Sequence, residues 1–216
     1  RALFTWEHYP SYRNIEHIAG DENVLFAASS FGLYSYRNGQ EPNVISQKEG
    51  LSDVAISTMR FLPETNELLV GHRSGSIDLV TQRGITSELS LSRLDSRLSK
   101  TLYDVTIIDQ SAYFASDLGI VEYLIPERKI RDIFRNIGPG ANEVSAFAIV
   151  NLLDTLFAFT DQGLFKGVIS KNLLDFTQWE QLSSESYTKS TDAVIEGQKI
   201  FISQGTETLN VLDLSA

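Results

Sequence analysis

The chain has 216 residues, with 28 Asp and Glu against 18 Lys and Arg and a formal net charge of -10. That length suits a single domain with its own core, and the acidic balance has the wrong sign for wrapping phosphate backbones, which sets nucleic acid aside as a partner. No apolar run reaches the roughly 18 residues that span a bilayer, and zero cysteines remove disulfides, thiol nucleophiles and thiolate metal sites.

The chain opens on Arg1 without a methionine, as expected of a cleaved or chosen start, with which a removed leader is compatible. Residues 3–9, which include Phe4-Thr5-Trp6-Glu7-His8-Tyr9, read as a strand that precedes any complete unit. Four-stranded units then follow in order. The first, over 14–48, has an inner run Ile15–Ala19, a hairpin LFAASSFGLYSY at 25–36 and an outer run Asn43–Gln47. The second, over 53–91, repeats this with Val54–Leu62, LLVGHRSGSIDLV at 68–80 and Ile85–Leu91. Leu91, Leu94, Leu98 and Leu102 then carry a helix-like spacing, which predicts a turn or two of helix in the connection. The third unit, 101–136, has Leu102–Ile108, YFASDLGIVEYL at 113–124 and Lys129–Phe134. The fourth, 143–182, has Val144–Val150, LFAFTDQGLFKGV at 156–168 and Phe176–Leu182. The fifth, 190–214, has Ala193–Ile195 and the weaker copy IFISQGTETLNVL at 200–212, where Glu207 replaces the turn glycine.

Marking each second strand at Ala28, Gly71, Ala115, Phe159 and Ser203 gives spacings of 43, 44, 44 and 44. Gly32, Gly75, Gly119 and Gly163 fall where the hairpins need a residue free of a Cβ clash. A four-stranded antiparallel unit of this length, repeated, predicts an all-β protein: a β-propeller of five blades, either closed by residues 3–9 or forming part of a larger ring, for instance of seven. Trp6 and Trp179 hold matching outer-strand positions and are expected to pack between blades, as are Tyr34, Tyr36 and Tyr123.

Catalytic signatures are missing. No glycine-rich phosphate loop, nucleophile elbow or metalloprotease helix motif occurs, Gly138-Pro139-Gly140 reads as a turn, and His8, His17 and His72 lack the spacing of a metal set. No catalytic residue, metal or cofactor is therefore assigned. Carboxylates recur near the start of the inner strands at Asp53, Asp104, Glu143 and Asp192, with Asn14 or Glu16 in the first unit. They are expected to ring one mouth of the channel, either capping backbone N–H groups or gathering a cation or basic partner. Lys166, Lys171, Lys189 and Lys199, with Arg128, Lys129, Arg131 and Arg135, form basic clusters expected mainly on solvated edge strands.

Glu49-Gly50-Leu51-Ser52-Asp53 leading into an inner strand, followed by a glycine-turn segment, resembles the repeat of two-component-regulator propellers. Several pieces, taken in order, resemble the N-terminal propeller of the PorZ family, surface components of the type IX secretion system of Bacteroidetes. They are Thr5-Trp6-Glu7-His8-Tyr9-Pro10, Gly50-Leu51-Ser52-Asp53, Ser76-Ile77-Asp78-Leu79, Asp117-Leu118-Gly119-Ile120-Val121 and Asp175-Phe176-Thr177-Gln178-Trp179. Leu69-Val70-Gly71-His72 departs from the Trp-Val-Gly-Thr strand of sensor propellers. The resemblance implies an exported protein at the outer-membrane surface or in the periplasm, the first part of a longer chain of two propellers and a sandwich domain. It also implies a non-catalytic role beside the sortase PorU and its attachment-complex partners, which move anionic lipopolysaccharide onto cargo. The acidic mouth implies that the lipopolysaccharide binds outside this chain. The alternative is a periplasmic carbohydrate-sensing module of a hybrid two-component system.

Overall fold

The computed structural model describes residues 14–215 apart from 31, 96, 206 and 207, so the expected closing strand 3–9, with Trp6 and His8, lies outside the described residues. Nineteen strands are described, in five antiparallel meanders. Blade one holds β1 (Ile15–Gly20), β2 (Val24–Ser29), β3 (Gly32–Arg37) and β4 (Asn43–Ile45). Blade two holds β5 (Ile56–Leu62), β6 (Glu67–His72), β7 (Ile77–Thr81) and β8 (Gly84–Glu88). Blade three holds β9 (Leu102–Ile108), β10 (Ser111–Ser116), β11 (Gly119–Leu124) and β12 (Lys129–Phe134). Blade four holds β13 (Ala146–Leu152), β14 (Thr155–Thr160), β15 (Gly163–Val168) and β16 (Trp179–Ser183). Blade five has three described strands, β17 (Thr191–Glu196), β18 (Lys199–Gln204) and β19 (Thr208–Asp213).

Hairpin glycines are required by what approaches them. At Gly119, with φ of +87°, an added Cβ would stand 2.3 Å from the Phe134 carbonyl oxygen, and at Gly163 it would stand 2.1 Å from that of Ser183. In both blades the outer strand closes onto the first residue of the third strand, which only a residue without a side chain permits.

The core lies in the seams between blades. One cluster joins Leu33 and Phe26 of blade one to Ile56 and Leu68 of blade two. The next joins Ile77 and Leu79 to Leu102, Ala112 and Phe114. A third joins Ile120 and Phe134 to Leu156, Phe165 and Trp179, and a fourth joins Phe159 and Leu164 to Ile200 and Ile202. Apolar residues alternate onto both faces of each internal blade because both faces are covered, which removes large apolar area from water on two sides. Trp179 sits in its seam as expected, 7% exposed, with its indole N–H donating to the Leu173 carbonyl at 2.9 Å. Tyr34 and Tyr123 are buried, whereas Tyr36 is exposed.

Successive inner strands pack side by side in the order β1, β5, β9, β13, β17, and β17 does not return to pack on β1 in that way. Of the two arrangements the repeat allowed, the blades form an open arc and are not closed into a ring of five. The leucine-spaced connection is turns instead of helix: Leu91 is buried, Leu94 and Leu98 are exposed, and the buried Lys100 ammonium donates to the carbonyls of Ser92 and Leu94. A cation satisfying these carbonyls holds the segment in place without a helical ladder.

Candidate functional site

Inner strands of all five blades converge on a polar cavity of about 980 Å3, and a more apolar cavity of about 660 Å3 opens at their opposite ends. Arg60 and Asp104 line both and form the neck between them. A recurrent backbone irregularity shapes the polar mouth. The pairing of inner and second strands skips one residue near the start of blades one to four, and the skipped residues are Glu16, Ser57, Tyr103 and Phe147. All four line the polar cavity, as expected of a bulge, which re-aims a side chain at a rim. Sequence periodicity hid these positions because a bulge leaves the repeat length unchanged when every unit carries it. Blade five pairs without this skip.

The four carboxylates expected at one mouth occupy two register positions. Asp104 pairs with Ala115 and Asp192 with Ser203, so they are true equivalents within β9 and β17, and both line the polar cavity. Asp53 and Glu143 instead precede their strands and do not line that cavity. Asp53 accepts from the Ala55 N–H at 3.1 Å; burial pushes its carboxyl up, and the backbone and Ser74 donors outweigh that to hold it low. Glu143 is exposed and faces Arg135 at 2.8 Å. The continuous ring therefore reduces to Asp104 and Asp192 with Glu16 of the first blade, because the other acidic residues lie in lead-in loops.

Asp104 is held firmly. Its carboxylate accepts from the Val105 N–H at 2.7 Å and from the Ile149 N–H of the next blade at 2.9 Å, while enclosure at the neck pushes its proton affinity up. At the rim, the Lys189 ammonium stands 5.6 Å from the Tyr103 ring centroid, and the Tyr103 hydroxyl donates to Asp117 at 2.8 Å. Glu16 and Arg73 meet at 3.5 Å across blades one and two. His17 faces the same cavity, with burial lowering its proton affinity. The mouth thus mixes both charge signs and offers hydrogen-bonding groups to a polar ligand or protein surface. Among the described residues, no group of three or more His, Asp or Glu converges as a metal set.

Other cations of the expected clusters have local partners: Lys166 meets Glu180 at 3.0 Å, Arg131 meets Glu122 at 2.7 Å, and Arg128 donates to Thr86 at 2.8 Å.

The Gly50-Leu51-Ser52-Asp53 motif is explained by what it ties together. Gly50 takes a left-handed conformation, Leu51 is buried, and the Ser52 N–H donates to Asp78 at 2.8 Å. Asp78 also meets His72 Nε2 at 2.9 Å, both side chains being fully buried. Burial pushes the Asp78 carboxyl up, but the His72, Ser87 and Ser52 donors outweigh it and hold it below the usual carboxylate range. Ser74, Ser76 and Ser52 hydroxyls chain together at 3.0 and 2.9 Å nearby. Serine, histidine and aspartate are the residue types of an acyl-transfer triad, but zero exposure of His72 and Asp78 closes this group to substrate. It is a structural bolt. His72 stands out in the sequence and Asp78 does not, although the two flank one hairpin turn, where Asp78 pairs with Val70 and lies diagonal to His72.

The meander blades, inner-strand channel and seam-located core define a β-propeller whose described blades form an open arc. Residues 25–180 match the sequence model of the type IX secretion PorZ N-terminal β-propeller domain. The chain belongs to that family. Among solved structures it is similar to PorZ of Porphyromonas gingivalis, described as an essential bacterial surface component of the type IX secretion system. That match has a TM-score of 0.78 and 23% identity over 93% of this chain and 27% of the other. It is also similar to the extracellular domains of two B. thetaiotaomicron proteins described as hybrid two component systems. BT4673 matches with a TM-score of 0.66 and 14% identity, over 88% of this chain and 26% of the other. BT3049 matches with a TM-score of 0.62 and 18% identity, over 95% and 29%. The chain therefore spans roughly a quarter of the length of these solved chains. No curated protein matches its sequence.

Proposed function

We propose that this chain is a non-catalytic scaffold propeller of a type IX secretion system, exported to the outer-membrane surface or the periplasm, where it supports cargo anchoring by recruiting a sortase of the PorU kind. The observation that carries this reading is the family match over residues 25–180. The geometry suits it: a rigid arc whose mouth presents fixed, oppositely charged groups is a surface for holding a partner. Glu143, outside the polar cavity, is exposed and free of the backbone ties that hold Asp53 and Asp104, and its partner Arg135 at 2.8 Å is the cation that a basic partner would displace. With a net charge of -10, the chain repels anionic lipopolysaccharide, which is handled elsewhere in the complex. Among the described residues, no helix is long and apolar enough to cross a membrane.

Affinity capture from outer-membrane extract with the natural protein tests this. Recovery of the sortase, reduced by Glu143→Lys, is expected. Recovery of no secretion component, together with saturable binding of an oligosaccharide, would replace the scaffold with the second reading, a carbohydrate-sensing module. Likeness to the two B. thetaiotaomicron extracellular domains favours that alternative.

A further inference from the structure

The mouth at the turns between inner and second strands differs from the polar one in both lining and charge. Its cavity of about 660 Å3 lies within the roughly 300–1,000 Å3 of sites that take ligands. Phe61, Ile107, Ile149 and Ile195 form its walls, and Pro126 and Val194 add apolar surface that is exposed. Side-chain ties between blades hold this lining in place. Ser57 donates to the Leu102 carbonyl and Arg60 to that of Val105, while Thr106 donates to Asn151 and Asp104 accepts from the Ile149 N–H. Each tie spans 45 residues and joins the inner strands of neighbouring blades, so a ligand meets walls that are already formed.

The turns joining inner to second strands carry an exposed carboxylate in every blade: Glu22, Glu64, Asp109, Asp154 and Glu196. Glu64 and Asp109 line the cavity itself. Among the described residues none of the five side chains has a hydrogen-bond or ion-pair partner. Elsewhere on the surface carboxylates are met by cations, Glu16 by Arg73, Glu143 by Arg135 and Glu180 by Lys166. Unpaired like charges around one opening set up a negative field that draws in cations.

One of these turns carries a residue unsuited to it. The first residue of the two-residue turn is Asp109, Leu153 or Gly197 in blades three to five, with φ of +52°, +53° and +61°. Aspartate and glycine tolerate this left-handed conformation, whereas leucine is strained in it. Leu153 is also 83% exposed, so no packing within the chain offsets that strain. A strained, exposed apolar side chain on the face that holds an apolar cavity is accounted for by a contact with another molecule.

We propose that this mouth is the docking site of a partner protein's basic, apolar-tipped segment. One or two large apolar side chains enter the cavity and pack on Leu153 and Val194, and lysine or arginine on either side meets the unpaired carboxylates. Charge complementarity selects this occupant over an anionic or a purely apolar one. The inference goes beyond the secretion reading and does not rest on it, since it uses the mouth opposite to the one lined by Glu16 and Asp192.

The probe is a fluorescent peptide of two lysines, a leucine, a phenylalanine and two further lysines, titrated into the natural protein and followed by anisotropy. Saturable binding is expected, weakened at least about tenfold on raising salt to about 0.5 M. Neutralising the rim by Glu64→Gln, Asp109→Asn, Asp154→Asn and Glu196→Gln together is expected to weaken it at least about tenfold with Tm unchanged, because all four side chains are exposed and unpaired. Asp192→Asn, in the polar mouth, leaves affinity unchanged. Leu153→Gly is expected to raise Tm by relieving the turn and to weaken the probe, a trade that a merely structural residue would not show. Absence of saturation up to about 1 mM overturns the proposal. So does equal binding of a peptide with serines in place of leucine and phenylalanine, equal affinity of the neutralised variant, or loss of affinity in Asp192→Asn. Leu153→Gly with unchanged affinity overturns the part given to Leu153.

Discussion

Replacing His72 by leucine removes one partner of a fully buried pair while keeping an apolar group of similar size in blade two. His72 and Asp78 meet at 2.9 Å with no exposure on either side, so Asp78 would be left as a buried carboxylate short of its strongest donor. Breaking such a pair costs about 3–5 kcal/mol, because the remaining charge is neither solvated nor compensated. Asp78 keeps the Ser52 N–H and the Ser87 donor, which places the loss near the lower bound. At about 2–4 °C per kcal/mol for a chain of this size, a loss of about 3 kcal/mol lowers Tm by roughly 6–12 °C. Urea and thermal unfolding of the natural protein, with Asp78→Leu and the double variant, completes a cycle. The double variant is expected to be well short of the sum of the singles, since removing both partners leaves no orphaned charge. The pH dependence has a defined sign: a depressed carboxyl contributes stability above its ordinary value near 3.8 that is lost as pH falls through the folded value. The His72→Leu variant should lose less stability on acidification than the wild type. Single variants that each cost under about 1 kcal/mol and add simply would refute the reasoning, since a buried pair cannot behave as two independent surface groups.

Two further substitutions probe the blade and the neck. Gly119→Ala places a Cβ 2.3 Å from the Phe134 carbonyl at a φ of +87°, so β12 must shift; a cost above about 1 kcal/mol and faster amide exchange along β12 are expected from strain of this kind. Asp104→Asn keeps an acceptor for Ile149 and removes a carboxyl whose proton affinity is raised by enclosure. A raised carboxyl contributes stability below its ordinary value near 3.8 and loses it as pH rises through the folded value, so the variant should gain on the wild type in urea midpoints as pH rises from about 4.

Blades were legible in the sequence because strand length, hairpin glycine and period repeat together, and Lys129–Phe134 falls where the pattern predicts it. Features that depend on displacement within a unit were not. Asp53 and Asp104 look alike as acids near an inner strand, yet one lies in the loop and the other within the pairing. The leucine spacing from Leu91 mimics a helix because Lys100, and not a helical ladder, satisfies the carbonyls there. Ties between blades span 45 residues where the strand marks are 43 or 44 apart, since the seam offsets one inner strand against the next. No period count within one strand reveals that offset. The His72 and Asp78 pair becomes visible only with the hairpin register, which sets the two diagonal to each other across β6 and β7.

Inner-strand ties that reach from an earlier blade to a later one give the arc a grain. Blade three both receives them from Ser57 and Arg60 and extends them through Asp104 and Thr106. It also holds Tyr123, Phe114 and Ile120, all at 0% exposure. Nearest-neighbour stacking of this kind makes stability a property of position along the array. Hydrogen exchange should therefore recede from the two ends toward the middle, as thaw works inward through stacked plates. Blade three is the keystone on which a partner's pull would finally bear.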